Sequence, residues 1–184
     1  GARVAFSRSI EKLAEDLVAV KPTIMISVPR IYERVYLTIF NKLKEKPPVM
    51  ARLFNLAVTV GWERFLHSQG RGNWSTKFLL WPLLNKLVAG KVMEKFGGNL
   101  RFVICGGAPL SERIARVFIG LGLKVQQGYG LTETSPVIAV NRLDNNIPAG
   151  VGLALPGIDV MTSEENEILT KSDCVMLGYW NNVA

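Results

Sequence analysis

Short apolar runs alternate with longer segments of helical periodicity in this chain, and the alternation restricts the fold more than any other feature. Two runs lie at residues 23–27 and 100–105, and a third predicted strand, at residues 123–127, mixes Leu123 and Val125 with polar residues. Short strands that are apolar throughout are typical of the buried part of a parallel sheet. Between the first two runs, a segment that begins at Pro29 carries one apolar helical face, made of Tyr32, Val35, Tyr36, Ile39, Phe40 and Leu43. The pattern predicts an α/β fold with a partly parallel sheet flanked by helices.

Further elements extend this order. Residues 2–6 are predicted to form a short strand, and Ser9 is predicted to cap a helix that stops at Lys21-Pro22. Residues 49–68 and 77–96 are predicted to form two more helices. At 184 residues with 48% hydrophobic composition, the chain can bury one sizeable core with a small appendage.

Positive charge is concentrated in the helical part of the chain. Residues 1–101 hold 17 Lys and Arg against 7 Asp and Glu, whereas the remainder holds 5 against 8. A cationic surface of this kind attracts anionic lipid headgroups or polyphosphates. A membrane-attachment module is therefore one alternative, supported by the aromatic residues Trp62, Phe65, Trp74, Phe78 and Trp81.

Cysteine and histidine usage argues against several site classes. Cys105 and Cys174 are far apart and form no C-x-x-C pair, and His67 is the one histidine, so neither a zinc site nor a Ser/His/Asp hydrolase is expected. Both cysteines are predicted to be reduced and buried. No segment resembles a signal peptide or a transmembrane span, and we expect a cytoplasmic protein, with peripheral contact to the inner face of a membrane as an alternative.

A glycine turn follows the second apolar run. Gly106 and Gly107 open the turn at residues 106–110, and Ser111 then stands where a helix N-cap is expected. Ligands of open parallel sheets bind at the carboxyl ends of the strands, where small residues let the backbone approach them. This turn matches neither G-x-G-x-x-G nor the Walker pattern, so alone it identifies no nucleotide site and also fits a simple tight turn.

The third predicted strand leads into a second glycine-containing segment. Tyr129 stands between Gly128 and Gly130, so no neighbouring side chain blocks either face of its ring. Thr132 offers a hydroxyl to phosphate oxygens, and Glu133 offers a carboxylate that suits Mg²⁺. From the residue types alone, the segment fits either a nucleotide-binding loop or a polar surface turn.

The run Gln127-Gly128-Tyr129-Gly130-Leu131-Thr132-Glu133-Thr134 resembles the adenylate-binding motif of acyl-CoA synthetases and related adenylate-forming ligases. The resemblance implies that Tyr129 packs on adenine, that Thr132 contacts phosphate and that Glu133 binds the magnesium ion, which makes Thr132 and Glu133 the catalytic candidates. It assigns to the nucleotide Gly106, Gly107, Ala108, Pro109, Gln127, Gly128, Tyr129, Gly130, Leu131 and Thr132. It assigns to the acyl chain Met25, Val28, Gly106 and Gly130.

Other segments are similar to the same family. Residues 21–30 resemble the border of the acyl tunnel, although Met25 stands where some members have a gating tryptophan, and methionine lacks that hydrogen-bond donor. Residues 151–157, 167–170 and 175–181 resemble the entry into the small β-barrel subdomain. The implied division is an α/β subdomain at 1–147 and the start of the barrel at 148–184.

The resemblance implies an AMP-forming long-chain fatty acid–CoA ligase that uses ATP, Mg²⁺ and CoA. Gly128 and Leu131 favour a fatty acyl substrate over an amino acid, since peptide synthetases carry Asn and Pro at these places. The family's upstream phosphate loop and its carboxy-terminal lysine domain are not in this sequence, so the chain alone is expected to be inactive. A homodimer is a further expectation, and no nucleic-acid partner is expected. Alternatives are another adenylate-forming acyl ligase, such as a fatty acyl-AMP ligase, and a nicotinamide-dependent oxidoreductase, which lacks its glycine fingerprint here.

Overall fold

Five strands form one mixed sheet. The computed structural model describes residues 1–181. The strands, which lie side by side in chain order, are β1 (Ile24–Ser27), β2 (Phe102–Cys105), β3 (Val125–Gly130), β4 (Val137–Val140) and β5 (Leu153–Ala154). The pairs β1–β2 and β2–β3 are parallel, and the pairs β3–β4 and β4–β5 are antiparallel. The predicted α/β fold with a partly parallel sheet is confirmed.

Helices cover one face of the parallel strands. The α-helices are α1 (Leu13–Val20), α2 (Pro29–Lys44), α3 (Pro48–Ser68), α4 (Trp81–Leu84), α5 (Gly90–Glu94) and α6 (Glu112–Gly120). Tyr32 of α2 and Phe118 of α6 are fully buried, with ring centroids 5.4 Å apart. Their core also contains Met25, Val103 and Val125, one from each parallel strand. On the opposite face of β1, Ile26 is 83% exposed, so the helices bury only one side of this strand.

The predicted strand at residues 2–6 is wrong. These residues have no strand conformation, and Val4 and Phe6 are 76% and 92% exposed. A strand needs a neighbour to satisfy its backbone groups, and within residues 1–181 no strand pairs with this segment. Ser9 does start a helical turn, since its Oγ accepts a hydrogen bond from the Lys12 N–H at 3.2 Å.

The helical stretch predicted at residues 77–96 is present, but it is not one regular α-helix. The stretch consists of a 3-10 helix (Thr76–Leu80), α4, a π-helical turn (Asn85–Ala89) and α5. Pro82 lies at the start of α4. Proline has no N–H to donate four residues back, so it suits the first turn of α4, where the 3-10 segment changes to α-helix.

Two strands lie outside the main sheet. The strands β6 (Asp159–Thr162) and β7 (Ile168–Lys171) form an antiparallel hairpin, and the strands described up to residue 181 include no closed barrel. β5 belongs to the five-stranded sheet, and the division at residue 147 stays a prediction. The last three residues of the predicted second part, 182–184, lie outside the described residues.

The two cysteines differ in environment. Both are free, but Cys105 is buried at the end of β2 and Cys174 is exposed, so the prediction of two buried cysteines is wrong for Cys174. Cys174 lies in the irregular segment after β7, where no core covers it. Burial raises the pKa of the Cys105 thiol to about 11, which keeps it protonated at neutral pH. Within residues 1–181, no helix is both long enough and apolar enough to span a bilayer.

Candidate functional site

The carboxyl ends of the three parallel strands bring the two predicted glycine segments together. Ser27 is in register with Cys105, and Cys105 with Gln127. The Gly106 N–H donates to the Ser27 carbonyl at 3.1 Å. A Cβ placed on Gly106 would lie 3.5 Å from the Gly128 carbonyl oxygen. The turn at 106–110 and the motif that begins at Gln127 are therefore neighbours at one edge of the sheet, as the sequence predicted.

The Gln127 side chain fixes the position of this turn. It is 7% exposed, and its Oε1 accepts a hydrogen bond from the Leu110 N–H at 3.0 Å. Its Nε2 donates to the Pro148 carbonyl at 2.6 Å. Both polar atoms of the amide thus have protein partners, and Gln127 joins the turn to the chain segment that precedes β5.

Tyr129 lies in a strand, whereas the sequence predicted a loop. β3 continues through Gly130, and Tyr129 pairs with Ala139 of β4. The register shifts between Tyr129 and Gly130, and a Cβ on Gly130 would lie only 1.6 Å from the Pro136 carbonyl oxygen. Glycine is required there because the two backbones approach so closely. Gly130 is therefore needed for the pairing of β3 with β4, and both flanking glycines leave the faces of the Tyr129 ring free of neighbouring side chains. Tyr129 is half-exposed.

A single 3-10 turn, Thr132–Thr134, presents the polar residues of the motif. Thr134 is 4% exposed, and its hydroxyl accepts from the Leu131 N–H at 3.1 Å and donates to the Leu131 carbonyl at 2.9 Å. Thr132 is exposed and Glu133 is half-buried. The sequence did not single out Thr134, which holds the turn so that the two preceding side chains face outward from it.

Glu133 is held by a segment distant in sequence. The Tyr179 hydroxyl donates to Glu133 Oε1 at 2.6 Å, and the Met176 N–H donates to the Glu133 carbonyl at 2.8 Å. The hydrogen bond from Tyr179 lowers the pKa of the Glu133 carboxyl, and the same bond raises the pKa of Tyr179. Glu133 is consequently ionised at neutral pH. Sequence reasoning matched the segment around Tyr179 to the family but gave this tyrosine no role, since nothing local links it to the motif.

The residues predicted to border an acyl chain separate into two environments. Val28 is 48% exposed, and its Cγ1 would lie 3.9 Å from a Cβ on Gly107, which has a φ of +80°. Met25 is 8% exposed and belongs to the core on the helical side of β1. Ala108 and Pro109 are exposed in the same turn as Gly107. The structure thus brings Val28 to the glycine turn and buries Met25 beneath it.

A buried asparagine stabilises the connection after β4. Asn141 is 1% exposed, and its Nδ2 donates to the Gly150 carbonyl at 2.6 Å while its Oδ1 accepts from the Ile147 N–H at 3.0 Å. The Gln126 Nε2 donates to the Asn141 carbonyl at 2.6 Å. The sequence gave no signal for this network, because one asparagine after an apolar run is also common in surface turns.

A cavity lies at the other end of the sheet. It has a volume of about 650 Å³, and its lining includes Arg64 of α3, Lys124 just before β3 and Asp144. None of the predicted site residues lines it. The cavity is therefore distinct from the edge that carries the motif.

Glu133 is the residue that suits a magnesium ion. Within residues 1–181 no cluster of three or more His, Cys, Asp or Glu side chains is arranged to hold a metal. Mg²⁺ in nucleotide sites usually takes one or two protein carboxylates together with phosphate oxygens and waters. An ionised, half-buried Glu133 fits that role, which needs no three-residue cluster.

The carboxyl ends of the parallel strands bring the glycine turn and the start of the motif together. The family model described as AMP-binding enzyme matches residues 1–180, and the chain belongs to this family. The resemblance to adenylate-forming acyl-CoA synthetases is thereby confirmed.

Long-chain fatty acid ligases are among its relatives. The chain is 33% identical to the long-chain-fatty-acid–CoA ligase FadD15 of Mycobacterium bovis over 97% of its length, and 34% identical to the peroxisomal long chain acyl-CoA synthetase 6 of Arabidopsis thaliana over 81%. It spans 30% and 20% of the length of these two relatives.

Solved structures of such ligases share the fold. A long-chain-fatty-acid–CoA ligase from Archaeoglobus fulgidus matches 94% of the chain with a TM-score of 0.52 at 17% identity, the chain covering 29% of it. An anthranilate–CoA ligase in complex with anthranoyl-AMP matches 97% with a TM-score of 0.56 at 15% identity, the chain covering 27% of it. The chain therefore has the fold of the corresponding part of adenylate-forming ligases.

Proposed function

We propose that this chain is part of an AMP-forming long-chain fatty acid–CoA ligase. The full-length enzyme would join a fatty carboxylate to the α-phosphate of ATP, release pyrophosphate, and then transfer the acyl group from AMP to the thiol of CoA. The observation that carries the proposal is that the motif containing Tyr129, Thr132 and Glu133 begins, at Gln127 and Gly128, beside the Gly106 turn at the carboxyl edge of β1–β3, in a chain of this family.

Each part of the edge has a role in the first step. The half-exposed ring of Tyr129 stacks on adenine, and the backbone of the turn at 106–110 lines the same space. The Thr132 hydroxyl donates to a phosphate oxygen. Glu133 holds Mg²⁺, which when bound supplies positive charge to the phosphates. No nucleophilic side chain is required, because the substrate carboxylate attacks and the protein positions it.

The acyl chain would leave this edge between the glycine turn and β1. Val28 lies beside Gly107, and Gly106 adds no side chain at this edge, whereas Gly130 packs against the Pro136 backbone. We propose that the remaining phosphate contacts and the CoA site come from other parts of the full-length protein, since the chain spans 30% of a matched ligase. The chain alone would then be unable to complete the reaction.

The direct test is Glu133→Gln in the full-length protein. We expect fatty acid-dependent ATP–pyrophosphate exchange to fall about hundredfold, because a neutral amide cannot replace the carboxylate at the magnesium ion. Glu165→Gln is the matched control, an exposed glutamate beside the β6–β7 turn that should leave exchange unchanged. Exchange at the wild-type rate in Glu133→Gln would refute the metal assignment. Acyl-AMP that accumulates without acyl-CoA would instead identify a fatty acyl-AMP ligase.

An exposed apolar stripe supports a second role, peripheral membrane contact. Leu79, Leu83 and Leu87 are 74%, 57% and 40% exposed at a spacing of four residues, and the exposed Lys77 and Lys86 lie among them. Anionic vesicles should sediment the protein at low salt and less at high salt. A Leu79→Ser, Leu83→Ser double variant that binds as well as wild type would exclude this surface. The expected cytoplasmic location and homodimer stay predictions.

A further inference from the structure

Residues 175–179 hold both the backbone and the side chain of Glu133. The Met176 N–H bonds the Glu133 carbonyl at 2.8 Å, and the Tyr179 hydroxyl bonds Oε1 at 2.6 Å across 46 residues of sequence. A distance of 2.6 Å is typical of a hydroxyl that donates to an ionised carboxylate. Among the described residues, no other side chain hydrogen-bonds or ion-pairs with this carboxylate.

We propose that Tyr179 is a positioning residue that orients the Glu133 carboxylate for Mg²⁺·ATP. The inference rests on the proposed function, in which Glu133 is the protein ligand of the ion. One carboxylate oxygen is fixed by the phenol, and the other has no side-chain partner within residues 1–181, which leaves it available to a cation. A residue that anchors a metal ligand in this way acts through that ligand and does not touch substrate.

The chemistry of the donor suits this role. A free glutamate on a surface turn samples many rotamers, and binding must select one of them at an entropic cost. The phenol selects a rotamer in advance. Because the phenol is neutral, it leaves the negative charge of Glu133 to attract the cation, whereas a Lys or Arg partner would compensate that charge.

Tyr179→Phe removes the hydroxyl and keeps the ring. In the full-length protein we expect the KM for Mg²⁺·ATP to rise about tenfold while the KM for the fatty acid stays unchanged, since lost partners of metal ligands typically cost tenfold or more. Calorimetry should show ATP binding weakened about tenfold in Mg²⁺ and unchanged in EDTA. Trp180→Phe is the control, because this neighbouring side chain is 92% exposed.

A double-mutant cycle with Glu133→Gln separates the possible explanations. If Tyr179 acts through Glu133, Tyr179→Phe should have no further effect on Mg²⁺-dependent ATP binding in the Glu133→Gln background. Equal weakening by Tyr179→Phe in Mg²⁺ and in EDTA would indicate a general structural role and overturn the inference. Wild-type behaviour of Tyr179→Phe beside an impaired Glu133→Gln would overturn it while the proposed function stands. An unimpaired Glu133→Gln would overturn the metal assignment and, with it, this inference.

Discussion

Gly130 belongs both to the adenylate-binding motif and to the pairing of β3 with β4. It ends β3, follows the register shift at Tyr129, and lies where a Cβ would approach the Pro136 carbonyl oxygen to 1.6 Å. Gly128, two residues earlier, would place its Cβ 3.6 Å from the Ala139 carbonyl oxygen, an ordinary contact. The two glycines of one motif therefore differ in what they tolerate.

This difference predicts opposite outcomes for two alanine substitutions. Gly130→Ala should destabilise the protein by about 3 kcal/mol or more, because a backbone oxygen cannot move aside without breaking the β3–β4 pairing. Gly128→Ala should change the unfolding free energy by less than about 1 kcal/mol. Chemical denaturation of both variants checks this. Equal stability of the two would contradict the close approach at Pro136.

The sequence could propose single site residues only where the motif is local. Tyr129, Thr132 and Glu133 could be selected from the sequence because their side chains suit a base, a phosphate and a cation within five residues. Tyr179 could not, since its contact with Glu133 depends on how the chain returns after β7. The roles of Thr134 and Asn141 were also hidden, because their hydrogen bonds go to backbone groups that the fold alone brings near.

Among the elements, the turn between β2 and α6 depends on one side chain of β3. Gln127 holds the Leu110 N–H and the Pro148 carbonyl, and the turn carries Gly106 and Gly107 beside the motif. Position and order in this turn therefore come from a buried amide and not from the glycines themselves.

Gln127→Leu should loosen this turn. Leucine fills a similar volume but leaves the Leu110 N–H and the Pro148 carbonyl without partners, at a cost of about 2 kcal/mol. Hydrogen exchange should become faster at the Leu110 amide. The Ile114 amide, bonded to the Ser111 carbonyl at 3.0 Å, is the internal control and should keep its rate. Unchanged exchange at Leu110 would show that Gln127 does not hold the turn.

Elements were predictable where local and tertiary preferences agree. β1, β2 and α2 lie within a few residues of their predicted positions, and α6 begins directly after Ser111 as predicted. The 77–96 stretch is helical as its pattern indicates, but the changes from 3-10 to α at Trp81 and from α to π at Asn85 are not visible in that pattern. Residues 2–6 have the composition of a strand, but no strand within residues 1–181 pairs with them. The extension of β3 through Gly130 depends on pairing with β4, which the local sequence pattern does not reveal.

For the whole molecule, the central feature is which end of the sheet carries the proposed nucleotide site. The carboxyl edge of β1–β3 carries the motif, and the cavity of about 650 Å³ lies near the amino end of β3. The rule that ligands bind at the carboxyl ends of parallel strands points to this carboxyl edge, and the two glycine segments do meet there. The antiparallel β4 and β5 and the exposed face of β1 could not be read from the sequence, because they depend on the rest of the fold.

Photoaffinity labelling of the full-length protein with 8-azido-ATP and Mg²⁺, followed by peptide mapping, tests this placement most directly. We expect label in the peptides that contain residues 106–110 or 128–134, and unlabelled ATP should compete for it. Label confined to peptides that line the other cavity, such as those with Arg64 or Lys124, would contradict the nucleotide site at Tyr129 and Glu133.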